Sequence, residues 1–179
     1  MKKWILVLGV LSFIFISVCK AQEVKSDGKI CYGDGLGADI SVGYSNLLFD
    51  GVSSNGFNIG IALLGISNTT GMNYGLNCSY SGYLKKSSDY QSILSMGPAT
   101  GIRFCSKSGY AFEIGLASGI SLVKVLDSKG LPFEGGCING KSFMSIGYKN
   151  YTINLESCYY TSSKYDFSSF SVNFKYMLK

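Results

Sequence analysis

Histidine is missing from all 179 residues, and proline occurs only twice. The first absence excludes a Ser-His-Asp or Ser-His-Glu relay and any histidine metal ligation, so the familiar sites of membrane hydrolases, acyltransferases and proteases cannot be assembled here. The second removes the residue that most often interrupts a β-ladder. Charge is scarce too: 15% of the residues are Asp, Glu, Lys or Arg, against about a quarter in an average soluble domain. The net charge of +5 comes from scattered Lys and Arg residues, which make no basic stripe, and no nucleic-acid partner is expected. The cysteines include no CxxC unit, and the Gly-rich stretch at 33–37 lacks the Lys and Ser or Thr of a phosphate loop; neither a metal nor a cofactor is indicated.

The one long apolar run lies at the N-terminus. Lys2 and Lys3 precede the apolar stretch 4–18, Lys20 closes it, and Ala21 gives a small residue before a cut ahead of Gln22. This is the pattern of a secretory signal, and it stops short of the roughly 20 residues of a spanning helix. A lipoprotein signal, with Cys19 as the lipidated residue, is the rival, but Val18 is bulky for that motif. The expected organisation is a signal peptide at 1–21 and one domain at 22–179. Export permits disulfides. The mature chain keeps Cys31, Cys78, Cys105, Cys137 and Cys158, an odd set whose pairing the spacing leaves open.

After the signal no helical period is sustained, whereas period-two alternation recurs to the C-terminus, the mark of strands. Eight are expected, the clearest at 36–44, 57–63, 72–80, 94–104, 110–122, 138–148, 151–159 and 170–178. Leu36, Ala38, Ile40, Val42 and Tyr44 share one face of the first, and Gly37, Asp39, Ser41 and Gly43 the other. Pro98 weakens the fourth strand, and Phe143 falls on the polar face of the sixth. Longer connections are expected at 45–55, 84–91, 124–135 and 161–167, and shorter turns at 106–109 and 149–150. Long loops at one end and short turns at the other suit an outer-membrane barrel.

Alternation alone does not say which face is wet. The polar faces here are mostly Gly, Ser, Ala and Asn, small enough for a narrow lumen, whereas a solvated surface would carry many Lys and Glu residues. Tyr44, Tyr80 and Tyr159 fall at one boundary and Tyr74, Tyr110, Tyr148, Tyr151 and Tyr176 at the other, as two aromatic girdles would. The few charges on the polar faces balance: Asp39, Glu113 and Glu156 against Arg103, Lys141 and Lys175. Simple hairpin registers make Arg103 a neighbour of Glu113 and Lys141 of Glu156, and barrel closure sets Asp39 near Lys175. Pairing is required in a tight lumen, because an uncompensated buried charge costs several kcal/mol. The carboxylates Glu113 and Glu156 therefore read as salt-bridged lumen residues in preference to an acid/base pair, and the lumen as plugged.

On strand count, loop alternation and a terminal strand with Phe170, Phe174 and Tyr176, the chain resembles the small eight-stranded outer-membrane barrels of the OmpA and OmpX type over 36–179. The resemblance implies an all-β, antiparallel up-and-down transmembrane barrel in the outer membrane of a Gram-negative bacterium. It implies recognition of the last strand by the barrel assembly machinery, although Lys179 stands where an aromatic residue usually ends the chain. It also implies anchoring, adhesion or host interaction through loops more than catalysis. Leu47, Leu48 and Phe49 in the first expected loop, and Leu131 and Phe133 in the third, are apolar enough to contact an external protein or surface ligand, or to pack on the rim. The alternatives are a secreted lipocalin-like barrel with an apolar ligand inside, and a narrow pore.

Overall fold

The computed structural model describes residues 35–66, 71–84, 90–106 and 108–178; the expected signal at 1–21 and Cys31 lie outside them. Eight strands follow in sequence: β1 (Gly35–Phe49), β2 (Val52–Ile66), β3 (Met72–Leu84), β4 (Tyr90–Cys105), β5 (Tyr110–Leu126), β6 (Pro132–Tyr148), β7 (Tyr151–Thr161) and β8 (Asp166–Leu178). Each pairs antiparallel with the next, and β1 pairs with β8 from Ala38 opposite Leu178 to Leu48 opposite Ser168, so the sheet closes. Closure is what lets ladder amides and carbonyls be satisfied without an edge along the shared length. The all-β up-and-down barrel expected from the sequence is the observed architecture.

The strands are longer than the alternation had marked. The expected loop at 45–55 is a continuous hairpin turning only on Asp50 and Gly51. Both take left-handed backbone, at φ 49° and 74°, the conformation whose twist matches a two-residue hairpin and that Asp and Gly tolerate. The expected loops at 124–135 and 161–167 shrink likewise to turns at 127–131 and 162–165. These three expected loops are thus replaced by extended strands, while 85–89 of the expected loop at 84–91 lie outside the described residues. Pro98 does not break β4, because it sits outward where β4 is paired with β3 but skips its partner on β5.

A membrane-spanning strand needs about 9–11 residues. β7 has 11, whereas β1 and β2 have 15 each and β5 and β6 have 17 each. The surplus lies at the end away from the termini. There β2 runs beyond its last partner on β3, Asn55 opposite Leu84, and β6 runs beyond its last partner on β7, Ile138 opposite Thr161. The β1–β2 and β5–β6 hairpins therefore stand up as a distal collar above a barrel waist.

Candidate functional site

In the waist the small and polar faces point inward and the large apolar faces outward. Ile59, Ile61, Leu63, Leu76, Met96, Ile114, Ile146, Ile153 and Phe174 are all exposed on the outside. Tyr74, Tyr110, Tyr148 and Tyr151 are exposed near the terminal end, with Tyr110 beside Tyr148 and Tyr151 beside Tyr176 at centroid distances of 5.3 and 5.0 Å. Tyr44, Phe57, Tyr80 and Tyr90 lie toward the collar, where the Tyr80 and Tyr90 hydroxyls share a hydrogen bond. This orientation removes the lipocalin-like alternative, since the apolar faces that would line a ligand cavity are turned outward.

The interior of the waist gathers all six charged residues singled out from the sequence. Arg103 lies directly opposite Glu113 in the β4–β5 register, at 3.9 Å. Lys175 reaches across from β8 to both Asp39 and Glu113, at 2.8 and 2.9 Å, and the Asn73 amide donates to Glu113 at 2.6 Å. Glu113 is thus held by groups from β3, β4 and β8. Lys141 pairs with Glu156 at 3.1 Å and donates to Asn77 and Ser79 on the facing wall. Two carboxylates against two cations in the first group, and one against one in the second, leave the buried set neutral. Bridging between non-adjacent strands follows from the narrow bore of an eight-stranded barrel, in which opposite walls lie within reach of a lysine.

Phe143, the exception to the sequence pattern, points into this lumen. It lies opposite Gly115, where an added Cβ would come within 2.3 Å of its ring, and the Lys175 ammonium sits 5.9 Å from its centroid. Beside it, lined by Asp39, Ser41, Lys141 and Lys175, is a cavity of about 30 Å³. That is space on the scale of a water molecule or two, much less than a conducting channel needs.

The collar reverses this polarity. Leu47, Phe49, Tyr83, Ile93, Val123, Val125, Cys137, Cys158, Tyr160 and Phe167 form a buried apolar cluster inside its base. The rings of Tyr165 and Phe167 pack edge-on to Phe49 at 5.1 and 5.2 Å, and Tyr160 stacks on Phe167 at 4.8 Å. The outer surface at the same level carries polar pairs beside the exposed Leu48: Asn46 donates to Ser53 and Asn55, and Lys124 pairs with Glu134 at 3.0 Å. Leu47 and Phe49, read from the sequence as exposed loop residues, are 0% and 2% exposed, because the strand they extend turns them inward. Phe133 is half-buried against the same cluster, while Leu48 and Leu131 face outward.

Side chains that the sequence had not marked tie the collar together. Asp50 at the β1–β2 tip accepts from the Ser128 amide at 3.0 Å and its hydroxyl at 2.5 Å, joining hairpins on opposite sides of the mouth. These bonds, the hydroxyl's first, hold the exposed Asp50 carboxyl below its ordinary value of 3.8. Gln91 donates to Ser54 on β2 and accepts from the Leu126 amide on β5. The Tyr83 hydroxyl shares a hydrogen bond with Ser45 at the floor of the cluster. Cys137 and Cys158 are buried free thiols and Cys78 an exposed one; the side chain of Cys105 lies outside those described.

No family model and no curated protein matches the sequence. Among solved structures, the fold is similar to that of Neisserial surface protein A, with 14% identity and a TM-score of 0.65 over 83% of this chain and 99% of that one. It is also similar to the outer membrane enzyme PagL, with 14% identity and a TM-score of 0.59 over 78% of this chain and 98% of that one. Identity this low relates folds and nothing finer. The fold is that of the small eight-stranded outer-membrane barrels.

Proposed function

We propose that the chain is a non-enzymatic outer-membrane barrel, exported by a cleaved signal at 1–21 and inserted through recognition of β8 by the barrel assembly machinery. Its waist sits in outer-membrane lipid with a plugged lumen. Its collar faces outward in a structural, adhesive or host-interaction role toward an external protein or surface ligand. The observation that carries this reading is the polarity of the waist, with an apolar outer wall on all eight strands around an interior of paired charges. No water-soluble barrel gains from that arrangement, because it would leave the whole wall unburied.

The same fold supports an enzyme in PagL, so fold does not decide on catalysis. The residues of this chain do argue against it. It has no histidine, and Glu113 and Glu156 each face a lysine ammonium about 3 Å away, which occupies them in salt bridges.

Membrane fractionation of the full chain expressed in a Gram-negative host tests the location. Recovery in the outer-membrane fraction, extractable only with detergent and shifting in gel mobility on heating, is expected. Recovery as a soluble periplasmic protein defeats the reading. Planar-bilayer recordings of the refolded protein are expected to show no porin-scale conductance.

A further inference from the structure

We propose that the outer wall at the base of the collar, on β1 and β2, binds the sugar headgroup of an outer-leaflet glycolipid. This rests on the reading above, in which the waist sits in lipid with the collar outward, and names the lipid that their boundary takes. Three rows of outward side chains succeed one another there. Val42 lies opposite Ile59, Tyr44 opposite Phe57, and Asn46 opposite Asn55. Each row stands two residues beyond the last, about 7 Å along the strands. Hydrocarbon thus gives way to aromatic rings, and rings to amides.

The amides hold one another and leave defined groups over. Tyr44 donates its hydroxyl to Asn55 Oδ1 at 2.6 Å, and Asn46 Nδ2 donates to the same oxygen at 2.7 Å and to Ser53 Oγ at 2.8 Å. Asn46 has then used both its side-chain N–H groups, and Asn55 both lone pairs of its oxygen. Left over are the two side-chain N–H groups of Asn55, the Asn46 side-chain oxygen and the Ser53 hydroxyl proton. No hydrogen bond of a described residue engages them. Asn55 and Ser53 are exposed and Asn46 half-buried. Donors and an acceptor fixed side by side suit the hydroxyls of a sugar, each of which donates and accepts. The rings are fixed as well. Phe57 covers Gly82, where an added Cβ would come within 2.7 Å of it, and lies 6.0 Å from the Tyr80 ring, whose hydroxyl is bonded to that of Tyr90. The exposed Tyr44 and Phe57 therefore offer apolar faces to the C–H side of a pyranose, directly below the groups that would bond its hydroxyls.

The order of the rows selects the occupant. A glycolipid presents acyl chain, then sugar ring, then outer hydroxyls, and so meets all three. A free oligosaccharide would use only the upper two rows, and a protein would have to enter the bilayer to reach the lowest. A phospholipid would set a charged phosphate beside the amides, but residues 35–66, which form both strands, contain no Lys or Arg. Elsewhere at this level the outward polar groups satisfy each other: Lys124 pairs with Glu134, and Thr161 donates to Asp166.

The test is NMR of the Asn46 and Asn55 side-chain amides in the full mature protein, held in phosphatidylcholine nanodiscs and titrated with a dihexosyl diacylglycerol of matched acyl chains. Phosphatidylglycerol with the same chains and the free disaccharide are the comparison arms. The glycolipid should shift the Asn55 signals saturably, with a half-point at least about tenfold below that of phosphatidylglycerol. The free disaccharide should shift nothing at the same concentration. Asn55→Leu removes the outward donors, with Asn46 then reporting, and Phe57→Val removes a ring. Each should raise the half-point by about tenfold while heat-modifiable gel mobility is kept, and Lys124→Ala should leave it unchanged. Equal response to glycolipid and phosphatidylglycerol, an equal response to the free disaccharide, or a half-point that neither variant moves overturns the proposal. A chain that fractionates as soluble overturns the membrane reading instead. A chain recovered in the outer membrane whose amides ignore the glycolipid overturns this proposal alone.

Discussion

The waist and the collar are built from the same strands with opposite polarity. Below Tyr44 on β1, the apolar residues Leu36, Ile40 and Val42 face out and Asp39 faces in; above it, Asn46 faces out while Leu47 and Phe49 face in. β5 repeats the change, with Ile114, Ile120 and Leu122 outward and then Val123 and Val125 inward around an outward Lys124. The period stays at two and only its phase shifts, by one residue. Each region is therefore matched to a different solvent. The waist buries charge and exposes hydrocarbon, as a lipid environment demands, while the collar buries hydrocarbon and exposes polar groups, as water demands. Stability in the waist comes from paired charges and the ladder, and in the collar from an ordinary apolar core.

Substitutions should separate the two regions. The largest effect is expected at Glu113→Gln, which leaves Arg103 and Lys175 with Asp39 as their one remaining carboxylate partner in this group; breaking a buried pair costs about 4 kcal/mol, measured as the unfolding free energy in detergent micelles. Phe49→Ala removes the central ring of the collar cluster at a cost of about 3 kcal/mol. Its damage should stay local: Cys137 and Cys158 should become reactive to maleimide while heat-modifiable gel mobility is retained. Loss of the folded gel band in this variant would show that the collar does not open independently.

Moving a charge along the outer wall sharpens the boundary. Ile61→Arg, in the waist, should destabilise by about 3 kcal/mol in a bilayer, whereas Ser53→Arg, on the outer surface of the collar, should stay within about 0.5 kcal/mol. Equal costs would erase the distinction. The smallest effect is expected at the clasp. Because the folded Asp50 carboxyl titrates below its ordinary value of 3.8, its bonds to Ser128 hold in full above that value and are lost as the pH falls through the lower one. Protection of the Ser128 amide should follow that course in wild type, and in Asp50→Ala should already be absent at neutral pH.

Much of the waist was legible in the sequence because it obeys one rule throughout. Small residues inward, large ones outward and six balanced charges were enough to place Asp39 near Lys175, Arg103 near Glu113 and Lys141 near Glu156. The bridge from Lys175 to Glu113 was not legible, since it joins strands that no local register relates. The collar was misread for a physical reason. When the phase of alternation shifts at Ser45, a reader following the even-numbered apolar residues sees the strand end, and Leu47 and Phe49 look like an exposed loop. Extending the strand with its polarity reversed would have found them, and with them the hairpin turn at Asp50 and Gly51.

The reversal itself can be read most directly on β6, which crosses both regions. Nitroxide labels at the outward positions Met144, Ile146, Ile138, Gly136 and Glu134, each in turn in a nanodisc-embedded protein, report contact with lipid through oxygen and with water through a nickel chelate. Lipid contact at Met144 and Ile146, changing to water contact between Ile138 and Glu134, is the predicted profile. Water contact at Met144 and Ile146 would contradict it and make the waist a soluble surface.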